Sequence, residues 1–193
     1  MKKAIITLDF INDIIHGTGK LRAKGYAAFA EERNVFGHTR RALMDARAAG
    51  YLVFHVKVGF SAGYHEQPKG SKLFGKADQF GALVLHTWAT EFHEAIGVTS
   101  TDHVITKHRV SPFYGTPLES ILRVAGVEEI LLCGCATDLV VSAAARDAHD
   151  RDIPVVVLAD CCAAGSLEDH EHALATINKF ASVIDSTAMA RLL

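Results

Sequence analysis

The chain has 193 residues, 49% of them apolar and 22% charged, with a formal net charge of −2. That length supports one domain with a substantial core. The near-neutral balance argues against a nucleic-acid or membrane partner, and the apolar runs are broken by Asp or Gly well short of a membrane span.

Lys3 to Leu8 (KAIITL) reads as a buried strand ending at Asp9, which interrupts the apolar run too early for a signal peptide. The stretch HGTGKL at 16–21 is a poor phosphate loop. The upstream Gly is missing, and Leu21 follows the Lys where Ser or Thr is required. Residues 26–49 have helical periodicity, with Phe29, Val35, Leu43 and Ala46 as core positions and Gly50 as the cap. Tyr51 to Val58 (YLVFHVKV) is the second strand. From Gly59 to Leu85 the pattern dissolves into Gly, Ser, Pro, Lys and aromatics, a long irregular insertion of a kind that is often functional. A short helix over Trp88 to Ile96 follows, then a third strand, Val104 to Lys107. Thr116 to Ala125 is a helix with Pro117 in its first turn.

Ile130 to Cys133 is a short apolar run that Gly134 breaks. Thr137-Asp138 is a good helix start, and the Ala-rich stretch Leu139 to Ala148 is helical in character. Ile153 to Leu158 is the fifth strand, with Asp160 just past its end. Glu168 to Phe180 is a helix, Ala181 to Ile184 a last strand, and Ser186 to Leu193 a final helix. This alternation implies an α/β fold over residues 1–193. It is a doubly wound, three-layer α/β/α domain with a parallel sheet and helices on both faces. Four cysteines, Cys133, Cys135, Cys161 and Cys162, two of them adjacent, do not make a disulfide framework. The expected setting is reducing and cytoplasmic.

Polar residues appear where three apolar runs stop: Asp9, Lys107 and the 134–138 turn. In a parallel sheet these ends share one edge, the edge where ligands bind. An Asp and a Lys brought together there would pair beside a helix N-terminus, whose free N–H groups suit an anion or oxyanion. The pattern alone leaves a second reading open, in which Asp9 caps a turn and Lys107 faces water. Trp88, Phe113 and Tyr114 are candidates for the pocket wall or for ordinary core. No zinc spacing is present, and His65 alone is not a ligand set. The two His of EDHEH at 168–172 point to different helix faces, so this run reads as a solvated helix start.

Three segments resemble the isochorismatase-like hydrolase superfamily, and together they span most of the chain. LDFINDI resembles its first-strand motif D-x-Q-N-D-F, with Ile11 where Gln is usual. ITKHRVSPFYGTPL resembles K-x-x-x-S-A-F-x-x-T-x-L, with Lys107 as the Lys. LLCGCATDLVV resembles G-x-x-T-D-x-C-V. The resemblance implies a six-stranded parallel sheet ordered 3-2-1-4-5-6 and a non-proline cis peptide at about Cys135-Ala136. It also implies a homo-oligomer (dimer or larger), with the apolar end TAMARLL or the insertion as the interface. It assigns catalysis to Asp9 and Lys107 and places Cys135, Ala136 and Val140 around the pocket or oxyanion position. At the family's nucleophile position this chain has Val140, which has neither lone pair nor proton to give. The thioester route, which needs a thiolate, is closed by this alignment.

The expectation is therefore a hydrolase of a small metabolite, anionic or carbonyl-bearing, using Asp9 and Lys107 to cleave a vinyl ether or a C–N bond. No cofactor and no metal are expected. Two alternatives stand beside it. One is an inactive member that binds a metabolite or serves as an oligomeric protein. The other is an amidase using Cys135 as a substitute thiol.

Overall fold

The structure, a computed structural model, describes residues 1–191. Six parallel strands form one sheet in the order β3-β2-β1-β4-β5-β6. They are β1 (Lys3–Leu8), β2 (Leu52–Val58), β3 (His103–Lys107), β4 (Glu129–Cys135), β5 (Val155–Ala163) and β6 (Ser182–Ile184). The expected topology holds. β1 lies at the centre with all six residues buried, as a strand covered on both faces requires. Strand order runs outward in opposite directions from the β1–β4 boundary. Right-handed connections therefore put the helices of the two halves on opposite faces and leave a crevice at that boundary.

The helices are α1 (Asn12–Ile15), α2 (Tyr26–Glu32), α3 (Val35–Ala48), α4 (Leu118–Val124), α5 (Ser142–His149) and α6 (Leu167–Ile177). The single helix expected over 26–49 is in fact two. Asn34 adopts a left-handed conformation (φ 51°) between α2 and α3, which Asn tolerates better than most residues and which no α-helix continues through. Phe29, Val35, Leu43 and Ala46 are nonetheless all buried. Instead of one helix at 88–96 there are two 3₁₀ turns, Trp88–Thr90 and Glu94–Ile96.

β5 extends five residues beyond its expected end, so Asp160 lies inside the strand. There its carboxylate accepts hydrogen bonds from the Ser186 N–H (2.7 Å) and hydroxyl (2.6 Å). The last segment is a 3₁₀ turn over Ser186–Arg191, and the end of the helix expected there lies outside the described residues. Gly134 of β4 pairs with Leu8 of β1. A Cβ there would lie 2.4 Å from the Leu8 carbonyl oxygen, so no larger residue fits without moving backbone.

Candidate active site

The carboxyl ends of β1, β2, β3 and β4 meet at the crevice. Asp9 follows β1 in a left-handed conformation (φ 57°), which ends the strand. Its N–H still bonds the Val56 carbonyl (2.8 Å), and its Oδ1 accepts the Val58 N–H at 2.8 Å. Lys107, the last residue of β3, reaches across the end of β2. Its Nζ donates to Asp9 Oδ2 at 2.7 Å and to the Arg109 carbonyl at 3.0 Å. Both side chains are almost fully buried, 0% exposed for Lys107 and 6% for Asp9. Of the two readings the pattern left open, the structure has the paired one.

Burial raises the Asp9 carboxyl above its ordinary range, and the Lys107 charge and the hydrogen bonds from Lys107 and Val58 offset part of that rise. The net direction is upward, so the carboxyl holds a proton at higher pH than an exposed Asp would.

The pair forms the floor of a cavity of about 280 Å³, which Cys135, Ala136 and Val140 also line. The Cys135-Ala136 peptide is cis, as expected. Thr137 and Asp138 do not cap α5 through their side chains. The backbone makes one π-helical turn, Thr137–Val141, before α5 begins. Thr137 Oγ1 donates to the Ala163 carbonyl at 3.0 Å and, in the tautomer with the proton on Nδ1, accepts from His170 Nδ1 at 2.9 Å. His170, expected on a solvated helix start, is thus buried against the central turn. Cys135 is buried. Its thiol pKa is pushed well above the ordinary value, first by burial and then by the nearby Asp9 and Asp138 charges.

Three expected wall residues are not among those lining the cavity. Trp88 is half exposed and packs edge-on against His16. Phe113 is buried beneath the Arg151 guanidinium, and Tyr114 is exposed. The wall comes instead from the 59–85 insertion (Lys72, Leu73, Phe74, Lys76, Phe80, Leu83) and from Leu21, Lys24, Tyr26, Val110 and Leu139. Tyr26 is pushed up to about 12, chiefly by burial, so its phenol stays a hydrogen-bond donor. The periodic pattern made Tyr26 only the start of a helix, and loop residues such as Lys72 carry no periodicity to read. Among the described residues, no group of three or more His, Cys, Asp or Glu could hold a metal ion. No helix of those residues is long and apolar enough to cross a membrane.

The family model for the isochorismatase domain matches residues 3–188. The chain belongs to the isochorismatase-like hydrolase superfamily. Among curated members of that superfamily it is similar to the isochorismatase family protein YecD of Escherichia coli O157:H7, 36% identical over 66% of each chain. It is also similar to the ureidoacrylate amidohydrolase RutB of Acinetobacter baylyi, 29% identical over 95% of this chain and 80% of that one. An isochorismatase family protein from Desulfovibrio vulgaris shares the fold with a TM-score of 0.87, at 24% identity, covering 99% of this chain and 97% of that one. The N-carbamoylsarcosine amidase of Thermoplasma acidophilum superposes with a TM-score of 0.76, at 26% identity, covering 96% and 97%.

Proposed function

We propose that this superfamily member hydrolyses a small metabolite with water, not a protein thiol, as the attacking group. Asp9 carries the proton, and Lys107 steadies the charge that Asp9 acquires. The observation that carries the reading is a buried carboxyl–ammonium pair on the floor of a cavity whose wall at the π-turn is the hydrocarbon of Val140. Cys135 is a poor substitute nucleophile, because its environment favours the thiol over the thiolate that would have to attack.

A vinyl ether suits this machinery most directly. Protonated Asp9 delivers its proton to the terminal vinyl carbon, giving an oxocarbenium ion. Lys107, 2.7 Å away, stabilises the carboxylate left behind. Water adds to the oxocarbenium carbon and returns a proton to Asp9, and the hemiketal collapses to a ketone and an alcohol. The same pair serves C–N cleavage in the opposite order. The carboxylate takes a proton from water as it attacks the carbonyl, then passes it to the departing nitrogen.

Turnover of a panel of vinyl ethers, ureides and amides tests the proposal. Asp9→Asn is expected to lower the rate on the best compound by about 10²-fold or more, while Cys135→Ala leaves it within a few-fold. Loss of activity in Cys135→Ala, or inactivation by iodoacetamide with selective labelling of Cys135, would instead identify a thiol amidase. If nothing in the panel is turned over while some compound binds tightly, the protein is a binding member of the family.

A further inference from the structure

The lining of the cavity is graded. Its floor is the buried Asp9–Lys107 pair, and its more exposed lining includes three lysines, Lys24, Lys72 and Lys76. Asp9 is the one carboxylate in the lining, and it is already matched by Lys107. The outer part of the cavity therefore carries an excess of three positive charges in a chain whose formal net charge is −2. Two neighbouring lysines are committed elsewhere. Lys69 pairs with Asp78 at 2.7 Å, and Lys20 donates to the Gly81 carbonyl. Among the described residues, Lys24, Lys72 and Lys76 have no ion-pair or hydrogen-bond partner for their ammonium groups. Leu73 and Phe80 are large apolar side chains left exposed on the same rim.

We propose that Lys24, Lys72 and Lys76 are specificity residues that select a substrate with an apolar body and a carboxylate held at the cavity mouth, away from Asp9. The inference rests on the hydrolase reading only for which end of the substrate reacts. Each exposed ammonium interacts weakly with an anion in water. A concave, apolar-walled mouth lined by one sign of charge focuses the field of all three on a single bound group. The apolar wall supplies contact area, and the lysines decide between an acid and its neutral counterpart.

Cinnamate and cinnamamide share an apolar body and differ in charge, so calorimetric titration of both probes reads the selection directly. The wild-type chain is expected to bind cinnamate about tenfold more tightly than cinnamamide, with the advantage shrinking as salt rises. In the variant Lys24→Gln/Lys72→Gln/Lys76→Gln the two affinities should converge to within about twofold, and single Lys72→Gln and Lys76→Gln changes should each lose part of the preference. Equal binding of the two probes by the wild type would overturn the proposal. So would a preference unchanged in the triple variant, or no saturable binding of cinnamate at millimolar concentration. Turnover does not enter this readout. A protein that discriminates the probes yet hydrolyses nothing leaves the inference standing without the Asp9 chemistry. A working hydrolase that binds both probes alike removes the inference alone.

Discussion

In the proposed reaction Asp9 is a general acid, a role it can fill only while protonated, so its upward shift would set the shape of the pH profile. On a vinyl ether, kcat/KM is expected to be flat at low pH and to fall about tenfold per pH unit above the raised Asp9 pKa. A profile rising through that region would mean Asp9 acts as a base. Lys107 pulls the Asp9 pKa down, so Lys107→Met should move the falling limb to higher pH while lowering the plateau. Removing one partner of so buried a pair also costs about 3–5 kcal/mol of stability, which thermal unfolding would register separately from the limb. Asp9 and Lys107 were legible in the sequence because each ends an apolar run, and parallel strands bring their ends to one edge. Tyr26, Lys24, Lys72 and Lys76 were not, because their place in the lining depends on where irregular backbone comes to rest.

At the scale of elements, the insertion is tied to the sheet at a few points. Gly59 N–H bonds the Lys107 carbonyl at 3.1 Å, and Phe60 exchanges backbone bonds with Leu83 and Leu85. Buried Asp13 in α1 accepts the Leu83 N–H at 2.7 Å and the Lys20 N–H at 3.3 Å. Asp13→Ala leaves the Leu83 donor unsatisfied, at a cost of about 1–3 kcal/mol. Hydrogen exchange over 70–83 should accelerate in this variant while that of β1 stays slow. Gly134→Ala forces a Cβ against the Leu8 carbonyl and should cost about 1–3 kcal/mol, as overpacking commonly does, measurable by urea unfolding. The sequence reads Gly134 as a break, but β4 runs through it to Cys135; the glycine is there because of the approach of β1, a neighbour more than a hundred residues away. The break between α2 and α3 escaped for a related reason. Apolar spacing carries on through Asn34 even though the backbone does not.

Across the whole molecule, strand order and alternation were readable because buried parallel strands and amphipathic helices leave strong periodic signals. Less visible was a polar network that binds α3, β1 and β2 to the loop before β3. Thr7 Oγ1 lies 2.7 Å from His55 Nδ1, His55 Nε2 lies 3.2 Å from Asp102, and Arg47 pairs with Asp102 at 2.6 Å. Burial lowers the His55 pKa and favours the neutral ring. Burial alone would raise Asp102, but hydrogen bonds from Arg47, Thr99 and His55 outweigh it and hold the carboxyl at about 2, against an ordinary 3.8. A carboxyl depressed on folding adds stability that is complete above its unfolded pKa and is lost as pH falls through the folded one. Asp102 should therefore contribute on the order of 2 kcal/mol that disappears between about pH 4 and pH 2. In Asp102→Asn that part of the acid-unfolding curve should flatten, and an unchanged curve would show that other carboxylates dominate.

The insertion lies outside the sheet, is fastened at a handful of backbone points and still supplies much of the cavity lining. In the proposed reading, chemistry lies at the strand ends and much of the selection in the insertion. On that reading, sequence changes between the Pro68 turn and Leu83 should retune which molecule is admitted while the strands that end at Asp9 and Lys107 keep their register. A grafting experiment that swaps this segment between relatives should move substrate preference and leave the pH profile of the reaction where it was.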